Sequence, residues 1–234
     1  MKAVGPAALT AVLLFLSTLA VAAEYPPGSA ARLRYVSGSV SIQLRGSGNW
    51  VAGGVNHPLS QSDNVWTDKD SRAEIGLGYG VVRMNGETSL TLSGIGRGTF
   101  QVMLHLGTLN LRVFHLFGGE VYEVDTPTMA FVVKKSGDYR FDVGASGDTT
   151  IVTVRKGEGT ATGEGPAVRV RAHEQASITG VSLAHTIHGA PNPDGFDSWC
   201  QVRDEREYHP GFGPYGPGVI GYPPPYGPWI WVRP

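Results

Sequence analysis

The stretch TPTMAFVVKKSGDYRFDVG, Thr126 to Gly144, sets Lys134, Lys135 and an Asp138-Tyr139 pair around Ser136 and Gly137, with apolar residues on both sides. A serine beside a lysine can be a nucleophile next to its base. In an extended chain, however, neighbours point to opposite faces, so Lys135 and Ser136 diverge, and no Ser-x-x-Lys spacing occurs in the chain. Period two accounts for the stretch better. Phe131 and Val133 face inward on one strand, Ser136-Gly137-Asp138 supply turn chemistry, and Tyr139, Phe141 and Val143 face inward on the return. We expect a hairpin in an all-β domain.

The same alternation extends from Leu33 to about Ile178. It is seen in Val40, Ile42 and Leu44, in Ala73, Ile75 and Leu77, in Leu90 and Leu92, in Leu109, Leu111 and Val113, in Val152 and Val154, and in Val168 and Val170. Gly, Asn, Asp and Ser break it at close intervals, which is the signature of short half-buried strands. About ten of them predict an all-β fold of two packed, mainly antiparallel sheets (sandwich, jelly-roll or solenoid-like) spanning residues 30–180.

Residues 1–23 read as a cleaved signal peptide: Lys2 precedes an uncharged apolar run from Ala7 to Val21, and Ala20-Val21-Ala22 supplies small residues for cleavage. We expect a periplasmic or secreted protein with no membrane span after signal removal. Basic and acidic residues nearly cancel, 19 against 20, so no broad field draws in nucleic acid. Cys200 is the one cysteine; an internal disulfide is thereby ruled out, and a buried thiol is expected.

After a linker at 181–195, Phe196, Trp199, Cys200 and Arg203 take the i, i+3, i+4, i+7 spacing of one helical face, with Asp194 as a cap. This predicts a short amphipathic helix over 196–208. Residues 209–234 form an extended Pro/Gly/aromatic tail in composition, PGFGPYGPGVIGYPPPYGPWIWVRP after His209, suited to a polyproline conformation. Its Tyr215, Tyr222, Tyr226, Trp229 and Trp231 are candidate partner-binding residues.

Motifs that could carry chemistry are incomplete. His173-Glu174 lacks the second histidine of a zinc-protease helix, since residue 177 is Ser. His185-x-x-His188, with His173 and His209, reads as solvated loop histidines rather than metal ligands, and Asp68-Lys69-Asp70 as a turn rather than a calcium loop. The glycine clusters at 76–80 and 94–98 open no helix, so they read as turns between strands rather than phosphate cradles. We expect no catalytic residues, cofactor or metal. Glu74, Glu87, Glu120, Glu123 and Asp125, with Trp50 and Trp66, leave open an envelope enzyme or carbohydrate-binding module acting on glycans; a purely structural envelope protein is a third reading.

Taken in order, Gly38-x-Val40, Trp50, Asp63-x-Val65-x-Thr67, Ser71-x-Ala73-x-Ile75, Ser89-Leu90-x-Leu92, Leu106-x-x-Leu109, VDTP at 124–127, GDYRFDV at 137–143, TTIVTVRKGEG at 149–159 and HEQA at 173–176 resemble the FecR family of periplasmic domains. The resemblance implies an all-β domain. Its best-known members relay a signal from an outer-membrane transporter to a cytoplasmic sigma factor, using an anti-sigma segment and a membrane helix ahead of the domain. We expect neither here. PDGFDSWCQVRDERE and VIGYPPPYGPW further resemble exported Gram-negative proteins in which a FecR-like domain precedes a carboxy-terminal region of unknown function. The expected role is a non-catalytic module for binding or protein interaction in the cell envelope, its partner an envelope protein or glycan.

Overall fold

The computed structural model describes residues 31–96 and 98–207. The expected signal peptide at 1–23 and the expected tail at 209–234, with Tyr215, Tyr222, Tyr226, Trp229 and Trp231, lie outside the described residues. The first half of the chain forms β1 (Ala31–Ser37), β2 (Val40–Gln43), β3 (Trp50–Ala52), β4 (Pro58–Leu59), β5 (Asn64–Thr67), β6 (Arg72–Leu77), β7 (Gly80–Met84) and β8 (Thr88–Gly96). A long β9 (Thr99–Val113) leads into β10 (Val121–Asp125), β11 (Ala130–Val133), β12 (Gly137–Val143) and β13 (Thr149–Lys156). The rest comprises β14 (Glu158–Thr162), β15 (Val168–Arg171), β16 (Glu174–Thr179), β17 (Ala184–Gly189) and the helix α1 (Gly195–Glu207).

The strands make two layers. Layer A runs β4-β1-β6-β7-β9-β12-β13-β16-β17. Layer B runs β3-β2-β5-β8-β9-β10-β11-β14-β15. All pairings are antiparallel except β9 with β10. Strand β9 belongs to both layers: Thr99–Leu106 pairs with β8, and Gly107–Val113 with β12. The bend falls at Gly107, whose φ is +96°. A side chain there would come within 2.6 Å of the Glu87 carbonyl, so the kink needs glycine.

Alternation explains the core. Leu33, Ile75, Val82, Leu111, Phe141 and Val152 from layer A meet Val65, Leu90, Leu104, Tyr122 and Phe131 from layer B in one buried cluster, as expected for two sheets packed face to face.

The stretch around Ser136 departs from the expected hairpin. Phe131, Val133, Tyr139, Phe141 and Val143 are all buried, but β11 pairs with β10 and β14 in layer B, whereas β12 pairs with β9 and β13 in layer A. Lys134–Ser136 is a crossing between layers. Period two fixes which side faces inward and is silent on whether the return strand lies beside its predecessor or opposite it. Here it lies opposite, and Phe131 packs on Phe141 and Tyr139 at ring separations of 5.3 and 6.0 Å. The Tyr139 hydroxyl donates to the Lys135 carbonyl at 2.5 Å and accepts the Glu158 N–H at 3.0 Å, closing the corner.

The expected linker at 181–195 contains a strand, β17, which adds to the edge of layer A. Its side chains are exposed throughout, so no apolar alternation marks it in the sequence.

Candidate functional site

Helix α1 begins as a capping residue requires. The N–H groups of Phe196 and Asp197 donate to Asp194 Oδ1 at 2.8 and 2.9 Å, and the Asp194 N–H donates back to Asp197 Oδ2 at 3.1 Å. This is a reciprocal capping box with aspartates in both places. One face then buries Phe196 and Cys200. Trp199 stacks on Phe196 at 5.8 Å and tilts against Tyr35 of β1 at 5.7 Å. The Arg72 guanidinium lies 4.9 Å from the Trp199 ring, and that of Arg203 4.2 Å from the Tyr35 ring, both within cation–π range.

Charge does the rest of the seating. The outer face of layer A carries Arg83 on β7, Arg112 on β9, Arg140 on β12 and Arg155 on β13, and α1 with its cap lays acids across them. Arg140 Nη1 donates to Asp194 Oδ2 at 2.6 Å and Arg155 Nη2 to Asp197 Oδ2 at 2.6 Å. Seven residues on, the next acid of the same face, Asp204, pairs with Arg83 at 2.7 Å and Arg112 at 3.1 Å. These last two are ion pairs that lie off the line of a hydrogen bond, and Arg83 Nη2 is buried with no hydrogen-bond partner. One pair runs in the opposite sense: Arg203 of the helix grips Glu74 of β6 through Nε at 2.7 Å and Nη2 at 3.1 Å.

The environment shifts the titrations. Burial opposes ionisation of Glu74, but the hydrogen bond from Arg203 and the charges of Arg83 and Arg203 outweigh it and hold the carboxyl below its usual range. Burial and the nearby Asp204 charge push Asp138 upward, against a hydrogen bond from Asn110 Nδ2 at 2.6 Å. Burial raises the Cys200 thiol to about 12, which leaves it protonated and unreactive near neutrality.

A cleft of about 680 Å³ opens beside this clasp. Gln201, Asp204 and Glu205 of α1 form one wall; Arg112, Phe114, Asp138, Arg155 and Lys156 form the other. Arg112 lies 5.1 Å from the Phe114 ring. The Phe114 N–H donates to the Tyr79 carbonyl at 3.0 Å, which ties the cleft to an aromatic knot in which Phe117 packs edge-on against Tyr79 at 5.0 Å and against His115 at 4.5 Å. Phe117 is 45% exposed.

The residues singled out in the sequence are scattered. Lys135 is exposed and pairs with Glu158 at 3.1 Å. His173 sits in a turn with φ +65°. His185 and His188 stand on the exposed edge strand β17 rather than in a loop. Among the described residues no three His, Cys, Asp or Glu side chains meet as a set that could hold a metal ion, and no helix is long and apolar enough to cross a membrane. Of the acids, Glu74 is bound to its arginines, while Glu123 and Asp125 lie side by side on β10, two residues apart on the outer face of layer B. Burial, the Glu123 charge and a hydrogen bond with Glu123 raise Asp125 to about 6. Trp50, 47% exposed on the edge strand β3, and Trp66 on β5 belong to the same layer. The clasp itself, Glu74, Arg83, Arg112, Arg140 and Arg155 with Asp197 and Asp204, was not evident from spacing. Its one local signal is the seven-residue interval between Asp197 and Asp204, which puts both on one helical face.

Comparison with known proteins places the fold. No family model matches the chain, and no curated protein matches it. Two crystal structures of a "putative anti-sigma factor" from Parabacteroides distasonis, at 1.65 and 2.50 Å resolution, are similar to it with TM-scores of 0.50 at 15% and 16% identity. The likeness covers 59% of this chain and 64% of the neighbour. The chain thus spans less than two thirds of the length of that protein, and what it shares with it is the fold.

Proposed function

We propose that this chain is a non-catalytic, exported FecR-like β module for binding or protein interaction in the bacterial cell envelope, acting without the anti-sigma and transmembrane parts of the signalling regulators. The observation that carries this reading is the use made of layer A. Its outer face carries arginines and carboxylates paired under α1, and beside them opens a cleft with Phe114 in its wall, whose N–H bonds the Tyr79 carbonyl of an exposed aromatic knot. Paired charges of this kind specify how two surfaces fit. The cleft and knot offer what interfaces use, an aromatic anchor rimmed by polar groups. The likeness to an anti-sigma-factor structure supports the fold side of the reading. The partner is an envelope protein or a glycan.

The test is in-cell crosslinking and purification of the full chain and of a variant carrying Phe117→Ala and Lys156→Glu. A partner recovered with the first and depleted from the second supports the reading. An identical set of partners from both removes this face from the account, and turnover of a cell-wall glycan by the purified protein would replace binding with catalysis.

A further inference from the structure

We infer that the open position in layer B, beside the edge strand β15 and opposite β17, takes an extended peptide of alternating apolar and acidic residues from a partner as an added strand. This site is separate from the cleft beside α1 and does not depend on what that cleft binds.

The winding of the chain creates the position. In the second half of the fold the chain crosses between layers at short corners, from β11 to β12, from β13 to β14 and from β15 to β16, and otherwise turns back within one layer. Strands joined by a corner lie opposite each other. Layer A therefore reads β12-β13-β16-β17 over β11-β14-β15 in layer B, and among the described residues β17 has no strand opposite it. Burial records the vacancy. His185 and Ile187 are the cross-strand partners of Ile178 and Ala176, so all four share the inward face. Ile178 and Ala176 are fully buried, yet Ile187 is 40% exposed. An inward isoleucine left wet beside a sheet edge is where one more strand fits.

The edge of β15 is open for hydrogen bonding. The Arg171 N–H donates to Glu174 Oε2 at 2.7 Å rather than to β14. Its partner on β14, Glu158, accepts from the Lys134 N–H at its carbonyl and donates its own N–H to the Tyr139 hydroxyl. Arg171 and Glu158 are thus a non-hydrogen-bonded pair, and by the alternation of an antiparallel ladder Arg169 also turns its N–H and C=O to the open side.

Charge selects the occupant. Along β15 the exposed Arg169 and Arg171 alternate with the buried Val168 and Val170. Their ion pairs are long, 3.5 Å to Glu158 and 4.0 Å to Glu174, so both guanidinium groups can take an acidic side chain on the next strand. Opposite charges side by side on neighbouring strands are favourable, and like charges are not. The β15 edge of a second copy would set arginine against arginine. An acidic residue at every second position, with apolar ones between to cover Ile187, meets both demands.

The probe is an acetylated, amidated hexapeptide of alternating valine and glutamate, titrated into the full chain by fluorescence polarisation, with hydrogen exchange followed over β15. We expect binding, with slowed exchange over Val168–Arg171. Arg169→Glu combined with Arg171→Glu, both on exposed side chains, should weaken the peptide at least about tenfold and favour a valine–lysine peptide instead, with circular dichroism unchanged. Ile187→Asp should weaken both, and methylating alternate amide nitrogens of the probe should abolish binding. Equal affinity of the wild type for the lysine peptide, binding unmoved by these variants, or equal binding of the methylated probe would overturn the inference. So would no binding at millimolar peptide. Sedimentation covers the remaining outcome: a dimer dissociated by Ile187→Asp would assign the position to a second copy and overturn it.

Discussion

Glu74 and Arg83 face each other across neighbouring strands of layer A with neither side chain exposed, Arg83 Nε standing 2.9 Å from Glu74 Oε2. Two charges so placed on a sheet's outer face would normally be wet. They are dry because α1 covers them, and the helix is held there by the same pair, since Arg203 takes both Glu74 oxygens and Asp204 takes Arg83. Burying ions this way adds little net stability, but removing one partner strands the others. The helix and the sheet are therefore one cooperative unit.

The first consequence is a large cost for Glu74→Ala. It leaves Arg83 buried without the one carboxylate that hydrogen-bonds it among the described residues and frees Arg203, so urea unfolding at pH 7 should show a loss of about 3–5 kcal/mol. Arg203→Ala, at the partly exposed end of the network, should cost less. Because the Glu74 carboxyl is held below its ordinary value, its contribution is present above that value and is lost as pH falls through the lowered one. The gap between wild type and Glu74→Ala should thus be full at pH 7 and shrink progressively as the pH is taken below the ordinary carboxylate value.

Cys200 reports whether the helix is seated. With its thiol raised to about 12 by burial, it should react with a thiol reagent at pH 8 at least about 100-fold more slowly than a free cysteine. In Glu74→Ala the helix opens more often, and the labelling rate should rise in step with the loss of stability. A rate equal to that of free cysteine in wild type would mean that the thiol is not covered.

The layer crossing at Lys134–Ser136 gives a third prediction. A side chain at Gly157, whose φ is +95°, would collide with the Tyr139 hydroxyl at 2.1 Å. Gly157→Ala should cost more than Tyr139→Phe, which removes the hydroxyl's part-buried hydrogen bonds to Lys135 and Glu158 at about 1–3 kcal/mol. Thermal unfolding of the two variants orders them, and the reverse order would show that the corner is held elsewhere.

These corners mark where the sequence stops being legible. The inward faces could be read at Phe131, Val133, Tyr139, Phe141 and Val143 because a strand repeats every two residues whatever it pairs with. Which layer each strand joins is settled by pairings such as Tyr139 with Leu111 and with Val154, and no local pattern encodes them. The helix was legible from Asp194, Phe196, Trp199, Cys200 and Arg203 alone. Its seat was not, since Arg203 finds Glu74 across 129 residues, and an outward Glu or Arg on a strand ordinarily faces water. Strand β17 escaped for the same reason in reverse, having no buried side to leave a trace.

The carboxyl pair on β10 carries the last prediction. Asp125 is raised to about 6, first by burial, then by the charge of Glu123 and the hydrogen bond between them, while Gln101 Nε2 donates to Glu123 Oε1 at 3.0 Å. A folded-state value above the ordinary 3.8 has a definite sign. Below about pH 4 the proton is bound in both states and Asp125 is no burden; as pH rises through about 6 the unfolded chain ionises more readily, and the folded state loses stability relative to it. Asp125→Asn should therefore be neutral at pH 3.5 and stabilising at pH 7.5, on the order of 1 kcal/mol and below what the full shift implies because the site is partly open to water. Unfolding curves at the two pH values measure the difference, and carbon-13 NMR of the side-chain carboxyl should place its midpoint near 6. A midpoint near 4, with no gain from Asp125→Asn at pH 7.5, would show that the two acids do not share a proton.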